Sequence, residues 1–163
     1  MRNLLSTKDQ RQLRLMETLI QNRNWMKLHE LAEKLGCTER ILKSDLNELR
    51  AAFPTIDIQS SINGIMIDLE VNTSVEDVYQ YFLAHSQSFQ LLEYLFFNEG
   101  LPIYRTIENL HSSNANLYRL GRNITKILSS QFQIELSFTP SEIRGNEIDI
   151  RYFFAQYFSE RYY

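Results

Sequence analysis

Five positions recur at one constant offset along the chain: Leu35 with Leu110, Thr38 with Ser113, Leu42 with Leu117, Leu49 with Ile124 and Phe53 with Leu128. Each pair matches in kind, leucine frame or capping hydroxyl. An internal repeat constrains a fold more than any single motif, because each copy must be one supersecondary unit. The alternative is two unrelated helical hairpins that share a common pattern.

The first copy is readable element by element. Thr7 and Gln10 have capping-box spacing, and Leu13, Leu15, Met16, Leu19 and Ile20 then supply an apolar helical face. Asn22-Arg23-Asn24 ends that helix, and Trp25-Met26 reads as a short extended piece. A second helix carries Leu28, Leu31, Ala32 and Leu35. Gly36 stops it, since glycine takes a left-handed conformation past a helix end without a side-chain clash. Thr38 caps a third helix carried by Ile41, Leu42, Leu46, Leu49 and Phe53, and Pro54 closes it. Two runs, from Ile56 and from Ile65, alternate apolar and polar around Ser61-Ile62-Asn63-Gly64, which signals a hairpin. Helix, helix, tight turn, helix, hairpin is the order of a winged helix-turn-helix.

The second copy follows two leading helices. Thr73 and Glu76 form another capping box before Val75, Val78, Tyr79 and Phe82, and a second apolar helix runs from Phe89 to Phe96. Pro102 sits in a first helical turn. Ile103, Ile107 and Leu110 form a short helix, His111-Ser112-Ser113 the turn, and Leu117 to Leu128 a longer helix. Ile134, Leu136 and Phe138 alternate as a strand, which returns through Glu142-Ile143-Arg144-Gly145. After Glu147 the pattern is helical, and seven of the last twelve residues are aromatic. Consecutive helical residues point about 100° apart, so Phe153, Phe154, Tyr157 and Phe158 are not expected to face one core together. Either this helix packs back on the second module, or, the favoured expectation, the chain is cut and further domains follow. Its exposed aromatics are then expected to drive self-association.

Composition narrows the function. One cysteine, Cys37, excludes an internal disulfide and a cysteine-based zinc site, and reads as a packing residue. His29, His85 and His111 lack metal-ligand spacing, and five glycines form no phosphate-cradling motif. No cofactor and no enzymatic activity are expected. No apolar run spans a membrane and no secretory leader is evident, so a cytoplasmic protein is expected. The net charge is −3, but it is unevenly spread. Residues 1–53 hold ten Lys/Arg against seven Asp/Glu, while 51–104 hold seven acids and no base. Basic residues return at Arg105, Arg119, Arg122, Lys126 and Arg144. Basic, acidic, then modestly basic fits two binding modules around an acidic joint.

The stretch LHELAEKLGCTERILKSDLNELRAAF resembles the first helix-turn-helix of the Mga family of bacterial virulence and global transcription regulators. It matches in its hydrophobic frame, its Leu-Gly-Cys-Thr turn and its Leu-Lys-Ser-Asp-Leu-Asn-Glu-Leu recognition helix. The second half is similar to that family's second helix-turn-helix domain, and EIRGNEIDIRYFF resembles the junction beyond it. The Lys-Ser-Asp-Leu-x-x-Leu frame is shared with regulators related to sugar-operon antiterminators. The resemblance implies a DNA-binding half, with phosphotransferase-type regulatory domains and a dimerising EIIB-like domain outside these residues.

A helix-turn-helix places its second helix in the major groove, N-terminal turns leading. With Leu42, Leu46 and Leu49 inward, the outward residues are Glu39, Arg40, Lys43, Ser44, Asn47 and Arg50. Arginine and lysine suit guanine edges or phosphates, and asparagine suits adenine. Asp45 is expected to pair with a neighbouring base or to turn toward the module's own surface. The second module offers Asn114, Asn116, Arg119, Arg122, Asn123 and Lys126. Either face is also readable as ordinary solvated helix. Asn63 at the first wing tip and Arg144 in the second wing are candidate minor-groove or phosphate contacts, or else a turn residue and a strand-edge charge.

The expected architecture is mainly α with small β-hairpins, as two winged helix-turn-helix domains in tandem. Residues 1–71 form the first, 72–146 the second with its leading helices, and 147–163 the aromatic helix. The expected function is a transcriptional regulator that binds double-stranded promoter DNA through two recognition helices, homodimeric in the full-length protein and without membrane contact. The alternative is a tandem winged-helix module for protein–protein contacts.

Overall fold

The computed structural model describes residues 1–69 and 73–163. The chain forms two compact units, Thr7–Tyr81 and Phe82–Tyr163, the latter including Met1–Ser6. The expected boundary at 71–72 lies outside the described residues.

The first unit contains α1 (Thr7–Asn22), α2 (Leu28–Leu35), α3 (Glu39–Ala52), β1 (Asp57–Ser61), β2 (Gly64–Asp68) and the start of α4 (Val75–His85). Gly36 ends α2 with φ +66°, and Thr38 Oγ1 accepts the Ile41 N–H at 3.3 Å to start α3. Leu42, Leu46 and Leu49 are buried with Leu31, Leu35 and the apolar face of α1, each contributing roughly 1.5–3 kcal/mol. β1 and β2 pair antiparallel from Asp57↔Asp68 to Ser61↔Gly64. The extended piece at Met26 joins them, exchanging hydrogen bonds of 2.9 and 2.8 Å with Ile65. Gly64 is required there: its φ is +120°, and a Cβ would lie 2.0 Å from the Met26 carbonyl oxygen.

The second unit contains the rest of α4, then α5 (Gln87–Phe97), α6 (Ile103–Asn109), α7 (Asn114–Phe132), β3 (Glu135–Phe138), β4 (Ser141–Arg144) and α8 (Glu147–Tyr162). The repeat holds in three dimensions. α6 starts at Ile103 and α7 at Asn114, the repeat counterparts of Leu28 and Glu39, where α2 and α3 start. Leu101, the counterpart of Met26, bridges to Ser141 as Met26 bridges to Ile65. The tandem winged-helix architecture is therefore the observed one.

Three local expectations need correction. α1 begins at Thr7 itself, so Thr7 is the first helical residue and not the cap. The second capping box is one residue later than Thr73 and Glu76. Ser74 Oγ accepts the Asp77 N–H at 3.1 Å, and Asp77 Oδ2 accepts the Ser74 N–H at 2.8 Å. Hydroxyls at 73 and 74 and acids at 76 and 77 offer the same spacing twice, and the helix takes the later register. Pro102 stands just before α6 instead of inside it.

A fourth correction is larger. Of the four aromatics, Phe153, Phe154 and Tyr157 are buried together in the second unit, and Phe158 is half-buried. Phe154 meets Phe96 of α5 at 4.2 Å, Phe153 meets Phe132 of α7 at 5.3 Å, and Tyr157 stacks on Phe89 at 4.8 Å. Two neighbouring helices line a face wide enough for side chains about 100° apart. The Tyr157 hydroxyl donates to Glu93 at 2.7 Å. Burial and that carboxylate push its pKa well above the usual tyrosine range. Leu4 and Leu5, from the N-terminal segment, are buried in the same unit.

Candidate nucleic-acid interface

α3 is fixed from behind by a polar brace. Asp45 is 2% exposed, and Arg11 of α1 grips it by Nε to Oδ2 at 2.6 Å and Nη2 to Oδ1 at 3.1 Å. Gln12 Nε2 donates to Asp45 Oδ1 at 3.0 Å and to Glu48 Oε2 at 2.9 Å, and Lys8 pairs with Glu48. The Asp45 hydrogen bond raises the Arg11 pKa, and the bonds from Lys8 and Gln12 lower that of Glu48. Asp45 therefore pairs with a basic side chain, Arg11, and is turned into its own module. Burial pushes the Cys37 thiol up, in keeping with a packing residue.

This brace and the leucine frame leave Arg40, Lys43, Ser44 and Asn47 on the exposed side of α3. Neither Arg40 nor Lys43 has a hydrogen-bond or ion-pair partner among the described residues. Arg50 differs from the outward placement expected of it. Its Nε donates to the Ile58 carbonyl at 3.0 Å, and Nη2 to Ser60 Oγ, both on β1. Nη1 reaches Asn47 Oδ1 at 3.4 Å. The guanidinium thus ties the helix to the wing.

On α7, Ser113 caps through the Asn116 N–H at 3.1 Å. Asn116 donates to Ser112 Oγ at 2.9 Å and accepts from Arg119 Nη2 at 2.7 Å. Asn114, Asn123, Arg122 and Lys126 are exposed, and neither Arg122 nor Lys126 has a side-chain partner among the described residues. Arg119, Arg122 and Lys126 are the repeat equivalents of Ser44, Asn47 and Ala51. The cations of α7 thus start later along the helix than those of α3.

The wings differ as well. The first presents Asn63 and Ile62, the latter 94% exposed, at its tip. Lys27 donates to the Ile62 carbonyl at 3.4 Å. In the second wing, Arg144 is exposed and paired with Glu142. Thr125 ties α7 to the wing by accepting the Leu136 N–H at 3.0 Å. Sequence reading missed Arg11, Gln12 and Thr125. Thr125 is the repeat counterpart of Arg50, a signal that the repeat already carried.

A family model described as the M protein trans-acting positive regulator (MGA) HTH domain matches residues 6–65. A second, described as the Mga helix-turn-helix domain, matches residues 71–158. The chain belongs to the Mga helix-turn-helix family. A relative from Streptococcus pneumoniae serotype 4, named "Putative trans-acting regulator", is 48% identical over 163 residues, 100% of this chain and 33% of that protein. "Capsule synthesis positive regulator AcpA" of Bacillus anthracis is 26% identical over 158 residues, 93% of this chain and 32% of that protein. The chain spans about a third of the length of these curated relatives. Among the described residues, no helix is long and apolar enough to cross a membrane.

Proposed function

We propose that this chain acts in transcriptional regulation by binding double-stranded promoter DNA, with α3 and α7 as its recognition helices. The observation that carries this reading is the exposed, unpartnered Arg40 and Lys43 in the first turns of α3, held outward by a buried frame. Ser44 and Asn47 extend the same face toward base edges. Asn114, Asn116, Arg119, Arg122 and Lys126 form the second face. Asn63 and Arg144 reach from the wings, and the apolar Ile62 beside Asn63 suits a minor groove that accepts apolar wedges. Arg50 acts as a positioning residue that holds β1 to α3. The family and the relatives' names as regulators support the same reading.

The test is fluorescence anisotropy with labelled duplexes, one enriched by the chain from a random pool and one random, across a salt series. Tight binding to the enriched duplex with a steep salt dependence is expected. Absence of binding to any duplex would transfer the case to the protein-contact reading.

A further inference from the structure

Arg50 and Thr125 occupy the same position in two copies of the repeat, and they leave the two helix–wing clefts different. Arg50 crosses its cleft to the Ile58 carbonyl and Ser60. Thr125 is short and, among the described residues, reaches only the Leu136 amide. Past it the second cleft stays open as a trough of about 470 Å³ between α7 and the β3–β4 hairpin. Three cations line it, Arg122 and Lys126 from the helix and Arg144 from the wing, against one carboxylate, Glu135. Glu142, outside the lining, pairs with Arg144. Phe138 closes the trough against Gly121, where a Cβ would come within 2.5 Å of the ring.

We propose that this trough seats phosphate groups, supplied by one sugar–phosphate strand of duplex DNA lying between Arg122 and Lys126 on one side and Arg144 on the other. The source of the phosphates rests on the DNA reading above. Guanidinium and ammonium donors make short, charge-assisted hydrogen bonds to phosphate oxygens. Such contacts fix position and carry no base information. In the first unit the equivalent position holds Arg50, whose guanidinium crosses the cleft to the Ile58 carbonyl and Ser60. The two modules therefore differ: α3 carries its cations in its first turns, and α7 adds a backbone seat farther along the helix.

The test uses the 163-residue chain and three variants: Arg122→Gln with Lys126→Gln, Arg50→Gln, and Arg40→Gln with Lys43→Gln. Binding to enriched and random duplexes is followed across salt. The trough variant should lose up to about 2 units of salt slope and weaken both duplexes by the same factor. Arg50→Gln should keep the parent slope. An unchanged slope in the trough variant, with binding weakened in the Arg40/Lys43 variant, overturns the trough and leaves the DNA reading standing. If the parent binds no duplex, inorganic pyrophosphate is titrated in excess chloride, followed by amide NMR shifts. Saturable shifts at Thr125, Ser137 and Arg144 then uphold the seat with a free phosphate as its source. No shifts overturn it.

Discussion

Arg11 holds Asp45 in a two-point grip, 2.6 Å from Nε and 3.1 Å from Nη2, and so fixes the rotation of α3 about its own axis. Asp45 is buried, so removing the arginine leaves a carboxylate with, among the described residues, only Gln12 to satisfy it. Arg11→Ala should cost about 3–5 kcal/mol, the range for breaking a buried pair by removing one partner. Urea denaturation measures this. A cost below ~1 kcal/mol would mean that the leucine frame alone sets the helix.

The same brace gives stability an acid limb. Glu48 has its pKa lowered in the folded state, first by Lys8 and then by Gln12. A carboxylate with a lowered folded pKa adds stability above its unfolded value, about 4.3, and loses it as pH falls through the folded one. Denaturation midpoints should therefore fall as pH drops below about 4.3, and Glu48→Gln should flatten part of that fall. Parallel profiles for parent and variant would show that Glu48 contributes nothing.

Gly121 and Phe138 give a prediction whose sign runs against helix propensity. In an ordinary helix, Gly→Ala stabilises by up to about 1 kcal/mol. Here the new Cβ would lie 2.5 Å from the Phe138 ring, so Gly121→Ala should destabilise by about 1–3 kcal/mol, the usual cost of overpacking. Adding Phe138→Leu should recover part of the loss. Thermal melts of the single and double variants decide it, and a stabilised single variant would contradict the packing.

Much of the fold was legible because local chemistry agreed with the global order. Gly36, Thr38 and the 42–46–49 leucines specify their turn and helix without help from distant residues. The repeat extended that reading to the second module. What was not legible depended on distance. The inward leucines Leu42, Leu46 and Leu49 say which face Arg50 occupies, but not that a wing strand lies within reach of its guanidinium. The burial of Phe153, Phe154 and Tyr157 together depends on α5 and α7 standing on either side of α8, which no property of α8 alone reveals. Ser74 displaced Thr73 as a cap because two equal spacings overlap by one residue.

The packed α8 also yields an expected outcome. Phe153 is fully buried, so Phe153→Ala should cost about 3–5 kcal/mol. Tyr152→Ala, beside it but exposed, should change stability by less than about 0.5 kcal/mol. Equal effects from the two substitutions would place the helix in a different rotation.

Base reading by α3 is tested by the affinity of the Arg40→Ala, Lys43→Ala double variant for the enriched and random duplexes at one salt concentration. Both side chains are exposed and unpartnered among the described residues, so the melting temperature should match the parent's. A loss of at least tenfold is expected on the enriched duplex and a smaller loss on the random one, narrowing the ratio between them. Unchanged affinity for the enriched duplex, with the fold intact, would remove α3 from the interface.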